Sequence, residues 1–258
     1  MKEGLLFLLT LMMIGCGAGA QTKGKLTISV SAGAAVPVGV FAKKDMESAA
    51  IYFQDREPPA VMGIAKSESG FAKLGYSYNA MLSYGFSNHF YTFVRSGKSV
   101  NPISVIEIDD FLNDLYGVEQ RFSHVDNELF TVSPGLGYSY HKGNWQYNAG
   151  IFAGYGKCNY PYFESLLVYT GSNIIWAHSG EMPDLSSLVS GALINLNYGK
   201  GRFRTGVEIL YQQANFNYNM LPRTIPGGSQ SENYDDTLKS RIVEIGLQIS
   251  YFLGSSDK

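Results

Sequence analysis

The chain has 258 residues, enough for one large all-β domain or two small ones. Acidic and basic residues nearly cancel to a formal net charge of −2, which argues against a nucleic-acid binder with its basic stripe. Charged residues are only 16% of the chain against 14% aromatics, with 29 Gly and 18 Tyr, a balance foreign to soluble cytosolic enzymes.

The N-terminus reads as an export signal over residues 1–20. Lys2 is followed by a run from Leu5 to Ile14 that is apolar except for Thr10, and Ala18-Gly19-Ala20 precedes Gln21 in the small-x-small cleavage pattern. The run is shorter than the roughly 20 residues a membrane helix needs. The alternative is acylation at Cys16, within Met13-Ile14-Gly15-Cys16. With Cys16 removed, Cys158 stands alone and residues 21–258 form one domain without a disulfide framework.

Beyond the signal, apolar residues alternate with polar or tiny ones in eight segments, each close to the 9–11 residues of a tilted membrane strand. The first, 26–38, puts Leu26, Ile28, Val30, Ala32, Ala34, Val36 and Val38 on one face. In 72–84, Leu74, Tyr76, Tyr78, Ala80, Leu82 and Tyr84 oppose Lys73, Ser77, Asn79 and Ser83. The weakest is 90–98, where Tyr91 and Phe93 share a face with Arg95. Segments 130–140, 145–157, 188–198, 203–213 and 241–253 repeat the pattern, with Phe152 out of step. Short Gly-, Asn- and Lys-rich turns at 85–89, 141–144 and 199–202 alternate with long polar stretches at about 41–70, 102–127, 158–186 and 217–238. An even strand count brings both chain ends to the short-turn side.

Tyr84, Phe86, Phe90, Tyr138, Tyr140, Trp145, Tyr198, Phe203 and Tyr251 flank the short turns as an interfacial girdle, with Tyr76, Tyr155, Tyr211 and Phe216 as candidates for the opposite belt. A soluble barrel would place Lys and Glu on its outer face. Here the polar face is Gly, Ser, Asn and Gln, which suits a crowded lumen. The expectation is an all-β, eight-stranded antiparallel up-and-down barrel, apolar face outward. Its lumen would hold a charge network of Lys73, Arg95, Arg204, Glu208 and Glu244, read as salt bridges or as an ion path. Eight strands leave room only for side chains, which disfavours a wide pore.

No catalytic set is expected. Asp126 in Ser123-His124-Val125-Asp126-Asn127 stands where the nucleophilic serine of the faintly similar lipid A deacylases would be, and Ser96-Gly97-Lys98-Ser99 lacks both the first glycine and the helix of a phosphate loop. Asp109, Asp110, Asn113 and Asp114 interleave with Ile108, Phe111, Leu112, Leu115 and Tyr116 before Gly117, which predicts a loop helix rather than a calcium site. Neither metal nor cofactor is implied. Around Gly171-Ser172-Asn173, Leu167, Tyr169, Ile175 and Trp176 form a candidate hairpin that packs on neighbouring loops or binds a partner.

Gly33-Ala34-Ala35-Val36-Pro37-Val38-Gly39-Val40-Phe41, the Ala-Gln end of the signal and the eight-strand layout together resemble the outer-membrane β-barrel domain family, which groups PorT-like proteins with small OmpA/OmpX-type barrels. The resemblance implies residence in the outer membrane of a Gram-negative bacterium, lipid as the surrounding partner, and no cofactor. The function expected is non-enzymatic: a structural role, or binding of an extracellular protein or ligand through the long loops. A small-solute or ion channel through the charged lumen is the alternative, and a lipid-modifying enzyme ranks third. Nucleic acid is not a partner, and the sequence leaves the oligomeric state open.

Overall fold

The computed structural model describes residues 24–52, 61–117, 120–159, 163–169, 172–175, 184–220 and 234–253. The expected signal at 1–20, with Cys16, and the hairpin residue Trp176 lie outside these residues. In chain order the strands are β1 (Leu26–Pro37), β2 (Ala50–Tyr52), β3 (Val61–Ile64), β4 (Gly75–Gly85), β5 (Phe90–Asn101), β6 (Gln120–His124), β7 (Asn127–Lys142), β8 (Trp145–Cys158), β9 (Phe163–Tyr169), β10 (Ser172–Ile175), β11 (Leu185–Tyr198), β12 (Phe203–Met220) and β13 (Tyr234–Leu253).

Eight of them close into a barrel in the order β1-β4-β5-β7-β8-β11-β12-β13, each antiparallel to both neighbours. Closure is continuous: β1 pairs with β13 from Leu26↔Leu253 to Pro37↔Ile242. Period-two alternation makes the wall two-faced. Ile151, Leu188 and Leu247 point outward and are 67%, 70% and 75% exposed, while Ser29, Asn79, Asn195 and Gln248 are buried inside. That is the reverse of a soluble barrel. The short turns follow from local chemistry. Lys142↔Trp145 closes a two-residue turn in which Gly143 takes φ 61°, a left-handed conformation that a side chain disfavours.

The aromatic girdle assembles as cross-strand pairs around the short-turn rim. Trp145 meets Tyr198 and Phe203 meets Tyr251, each with ring centroids 4.8 Å apart; Phe90 packs edge-on to Tyr138 at 5.5 Å, and Tyr140 lies 6.1 Å from Tyr147. On the opposite belt Tyr76, Tyr155 and Tyr211 are exposed, but Phe216 is not. It occupies an inward position of β12 and is fully buried.

Phe216 belongs to a larger correction. The stretch 217–238 is not all loop: β12 continues to Met220 and β13 begins at Tyr234, paired up to Met220↔Tyr234. Along this extension the two faces exchange character. Gln213, Asn215 and Asn217 now point outward, while Ala214, Phe216, Leu238 and Ile242 point inward with Val189 and Leu129 into an apolar cluster. Below Tyr211 these two strands are apolar outside and largely polar inside; above it, the order of an ordinary soluble protein returns along them. From Phe203 to Tyr211 is nine residues, which at about 3.3 Å per residue and a tilt near 40° rises roughly 20–25 Å, the height of a membrane belt.

The out-of-step aromatics are also explained. Tyr91, Phe93 and Phe152 turn into the lumen and are buried there because glycines opposite them leave space. A Cβ on Gly137 would sit 2.2 Å from Tyr91 Cζ, one on Gly135 2.3 Å from Phe93 Cζ, and one on Gly191 2.4 Å from Phe152 Cζ. The three atoms nearest to such a Cβ at Gly137 all belong to the Tyr91 side chain. Gly137→Ala is therefore expected to destabilise the barrel by about 1–3 kcal/mol, and Tyr91→Leu in the same chain to remove most of that loss. Urea midpoints of the parent, both single variants and the double variant test this coupling; additive effects would refute it.

Past β1 the chain forms a 3-10 turn, Gly39–Ala42, that lowers Phe41 into the top of the barrel's apolar cluster. It then forms helix α1 (Met46–Ala49) and the β2–β3 hairpin. Helix α2 (Ile106–Tyr116), capped by Gly117 at φ 63°, follows β5 where the acidic-apolar spacing predicts it. Ile108 and Leu112 of α2 join Met46, Ala49, Ile64, Phe71 and Ile103 in a second core. A separate sheet in the order β10-β9-β6 lies between other long connections, with Tyr169↔Ser172 closing the β9–β10 hairpin.

Candidate functional site: the sealed lumen and its cap

Of the five charged residues expected inside, Arg95 and Glu244 meet directly. Arg95 Nη2 lies 2.9 Å from Glu244 Oε2, and their side chains are 1% and 4% exposed. The sequence reading missed the neutral partners that make this tolerable. Glu244 also accepts from Asn79 Nδ2 at 2.8 Å, Ser99 Oγ at 2.6 Å and Gln212 Nε2 at 2.7 Å. The Arg95 guanidinium stands over the Phe152 ring at 5.9 Å. Glu208, also buried, accepts from Ser31 Oγ at 2.8 Å and Gln248 Nε2 at 3.1 Å. Alternation alone marks these small polar positions as inward; which of them converge depends on the stagger of eight strands.

Arg204 is elsewhere. It sits at the short-turn mouth, where its Nη1 donates to His141 Nδ1 at 3.1 Å and to Gln146 Oε1 at 2.9 Å, and its guanidinium lies over the Phe252 ring at 4.9 Å. Lys73 is a correction. It precedes β4, anchored by its backbone N–H to Pro102 O at 2.7 Å, and its side chain is exposed rather than in the lumen. Alternation cannot aim a side chain outside the ladder.

Between the mouth and the charged layer lies a cavity of about 30 Å³, whose lining mixes Asn195, Asn197, Gln248 and serines with Tyr91, Met81 and Phe252. That is room for about two waters. Among the described residues Tyr91 OH, Gln248 Oε1, Asn195 Nδ2 and Asn197 Oδ1 have no protein partner, the polar setting in which buried water is found. Above the charged layer, Leu210, Phe216, Leu238, Ile242 and Phe41 fill the lumen. From the short-turn mouth upward, the described lumen thus holds a mixed-polarity cavity, a paired charge layer and an apolar plug.

The cap is fastened to the barrel's extension. Asp236 of β13 accepts from the backbone N–H groups of Lys66 at 2.5 Å and Ser67 at 3.1 Å, and from Tyr218 OH at 2.6 Å, while Lys239 Nζ donates to Ser67 O at 3.0 Å. Lys66 itself is 1% exposed, and its Nζ has no hydrogen-bond partner among the described residues; it stands 5.3 Å from the centre of the Phe71 ring. Burial pushes its amine down to about 8, against the pull of Asp236. Phe71 takes φ 54°, a strained conformation for a bulky residue, and is held there by bonds from Phe71 N to Lys43 O and from Ser104 N to Phe71 O. Of the candidate hairpin residues, Leu167 and Tyr169 fall in β9 and Ile175 in β10, whose backbones pair.

Among the described residues no helix is long and apolar enough to cross a membrane, and no group of three His, Cys, Asp or Glu stands placed for a metal. The fold defines a class: a closed, inside-out, eight-stranded barrel with a folded cap at one end. Small outer-membrane barrels of the OmpA/OmpX type are what it resembles. Neisserial surface protein A is 12% identical, over 89% of this chain and 97% of that one, with a TM-score of 0.43. The outer membrane protein OprG from Pseudomonas aeruginosa is 10% identical over 89% and 97%, with a TM-score of 0.48. Ail, the attachment invasion locus protein of Yersinia pestis, is 13% identical over 90% and 99%, with a TM-score of 0.39. No protein-family model and no curated protein matches the chain. These are likenesses of layout; the barrel is established by its own closed strand order and register.

Proposed function

We propose that the chain is a non-conducting, non-enzymatic protein of the Gram-negative outer membrane, exported on a signal cleaved after Ala20. The barrel serves as an anchor, and the cap built by the long connections is the working surface, available to an extracellular protein or ligand. The observation that carries this reading is the exchange of polarity along β12 and β13. An outer face that is apolar for one membrane height and then polar, around a lumen plugged at the same level, suits a wall that sits in lipid and holds a folded head above it.

The test has two parts. In the purified outer-membrane fraction, the unboiled protein should migrate differently from the boiled protein on a denaturing gel; a soluble protein without a shift would refute the membrane assignment. Reconstituted in a planar bilayer, the folded protein should be electrically silent. Sustained conductance would instead favour the channel alternative, with ions passing the Arg95–Glu244 layer.

A further inference from the structure

The described residues of the short-turn end carry charge of one sign. Among the described residues there, Lys25, Lys142, Lys200, Arg202 and Arg204 are all cationic, with no carboxylate beside them. The long-loop end mixes signs, with Asp45, Glu47 and Glu107 close to Lys43 and Lys44. Lys25 and Arg204 serve the lumen mouth. The other three are exposed and gathered on one side of the rim. Lys142 belongs to the β7–β8 turn and Lys200 and Arg202 to the β11–β12 turn. These turns are neighbours, joined by Gly199 N donating to Asn144 O at 3.1 Å, and Phe252 N donates to Arg202 O at 2.9 Å to tie the second turn to β13.

Directly beneath this patch lie two pairs of the aromatic girdle: Trp145 against Tyr198 and Phe203 against Tyr251. The Arg202 guanidinium reaches down to this layer, with Nη1 3.4 Å from Tyr251 OH. The β4–β5 turn has aromatics too, in Phe86 and Phe90, but only His89 as a titratable group. Cations at headgroup depth over amphipathic rings at the acyl boundary therefore coincide on the β7–β13 side alone. Long basic side chains that rise from an apolar wall into the headgroup layer gain from negative phosphates there.

We propose that Lys142, Lys200 and Arg202, above Trp145, Tyr198, Phe203 and Tyr251, form a site for the phosphate headgroup of an anionic phospholipid in the periplasmic leaflet. The proposal rests on the membrane reading above. The cations hold the phosphate, and the rings pack against the upper acyl chain. The site would bias lipid composition at one side of the barrel and fix the depth of the short turns.

The test uses native mass spectrometry of the full mature barrel in detergent, with phosphatidylglycerol and phosphatidylcholine as competing probes. The parent should retain phosphatidylglycerol preferentially. Each substitution among Lys142→Gln, Lys200→Gln and Arg202→Gln should lower that preference about fivefold, and the triple variant on the order of a hundredfold. Lys43→Gln, at the other end, should leave it unchanged. A triple variant with the parent's preference, or a parent with none, would overturn the site. A heat-dependent gel shift of each variant, run alongside, separates the two readings: a shift without lipid preference refutes only this site, whereas no shift in the parent refutes the barrel in the membrane.

Discussion

Arg95→Met should destabilise the barrel by about 3–5 kcal/mol, and Glu244→Gln in the same chain should recover most of that loss. The buried layer holds one cation, Arg95, against two carboxylates, Glu208 and Glu244, all at most 4% exposed. Methionine fills much of the arginine's volume, so packing changes little. What is lost is the countercharge 2.9 Å from Glu244. A buried carboxylate stripped of its partner has no water to turn to, and such removals cost several kcal/mol. The neutral donors Asn79, Ser99 and Gln212 remain to serve a glutamine at position 244, which is why the double variant should recover. Urea unfolding in lipid vesicles, followed by the folded gel band, gives the midpoints for the cycle. A loss below about 1 kcal/mol for Arg95→Met, or no recovery in the double variant, would mean the layer does not hold the barrel together.

Strand number, direction and the lipid-facing side were legible because each follows from a local rule. Period-two alternation marks faces, Gly-rich tight turns mark reversals, and the acidic-apolar spacing ahead of Gly117 marks α2. What stayed hidden was of two kinds. The first was readable in principle. Ala214-Asn215-Phe216-Asn217-Tyr218-Asn219 alternates as regularly as any membrane strand, but with its polar face outward, so a reading tuned to lipid-facing strands takes it for loop. The same bias set Tyr91, Phe93 and Phe152 down as exceptions; the signal that explains them, Gly135, Gly137 and Gly191, lies on other strands. The second kind was not readable. Ser31 and Glu208 are 177 positions apart, and Lys66 and Asp236 are 170 apart. Nothing local foretells their meeting, because it depends on the shear of the closed barrel and on the path of the first long connection.

The Lys66–Asp236 contact leads to the second large effect, a rise in stability with alkaline pH. The Lys66 amine titrates near 8 when folded, chiefly because it is buried, against 10.5 when unfolded. Below pH 8 both states hold the proton, and the folded state bears the full penalty of a buried charge with no hydrogen-bond partner. Between 8 and 10.5 the unfolded chain binds more protons, so stability rises with pH, and above 10.5 the penalty is gone. The full span is on the order of 3 kcal/mol, of which about 2 kcal/mol should appear between pH 7 and pH 9.5. The groups that act on the amine are the Asp236 carboxylate and the Phe71 ring; Tyr218 donates to Asp236, and Lys239 is tied to Ser67 O. Asp236 accepts from two backbone N–H groups and the Tyr218 hydroxyl and stays ionised throughout this range, so Lys66 carries the change. Lys66→Met keeps the length and the packing on Phe71 while removing the charge. The variant should be more stable than the parent at pH 7 by on the order of 3 kcal/mol and should lack the parent's extra rise towards pH 9.5. Parallel urea titrations at the two pH values decide the matter. Equal slopes for parent and variant, or a variant weaker at pH 7, would mean that the amine finds a partner in solution. The cap would then be held by a salt bridge rather than closed over an unpaired charge.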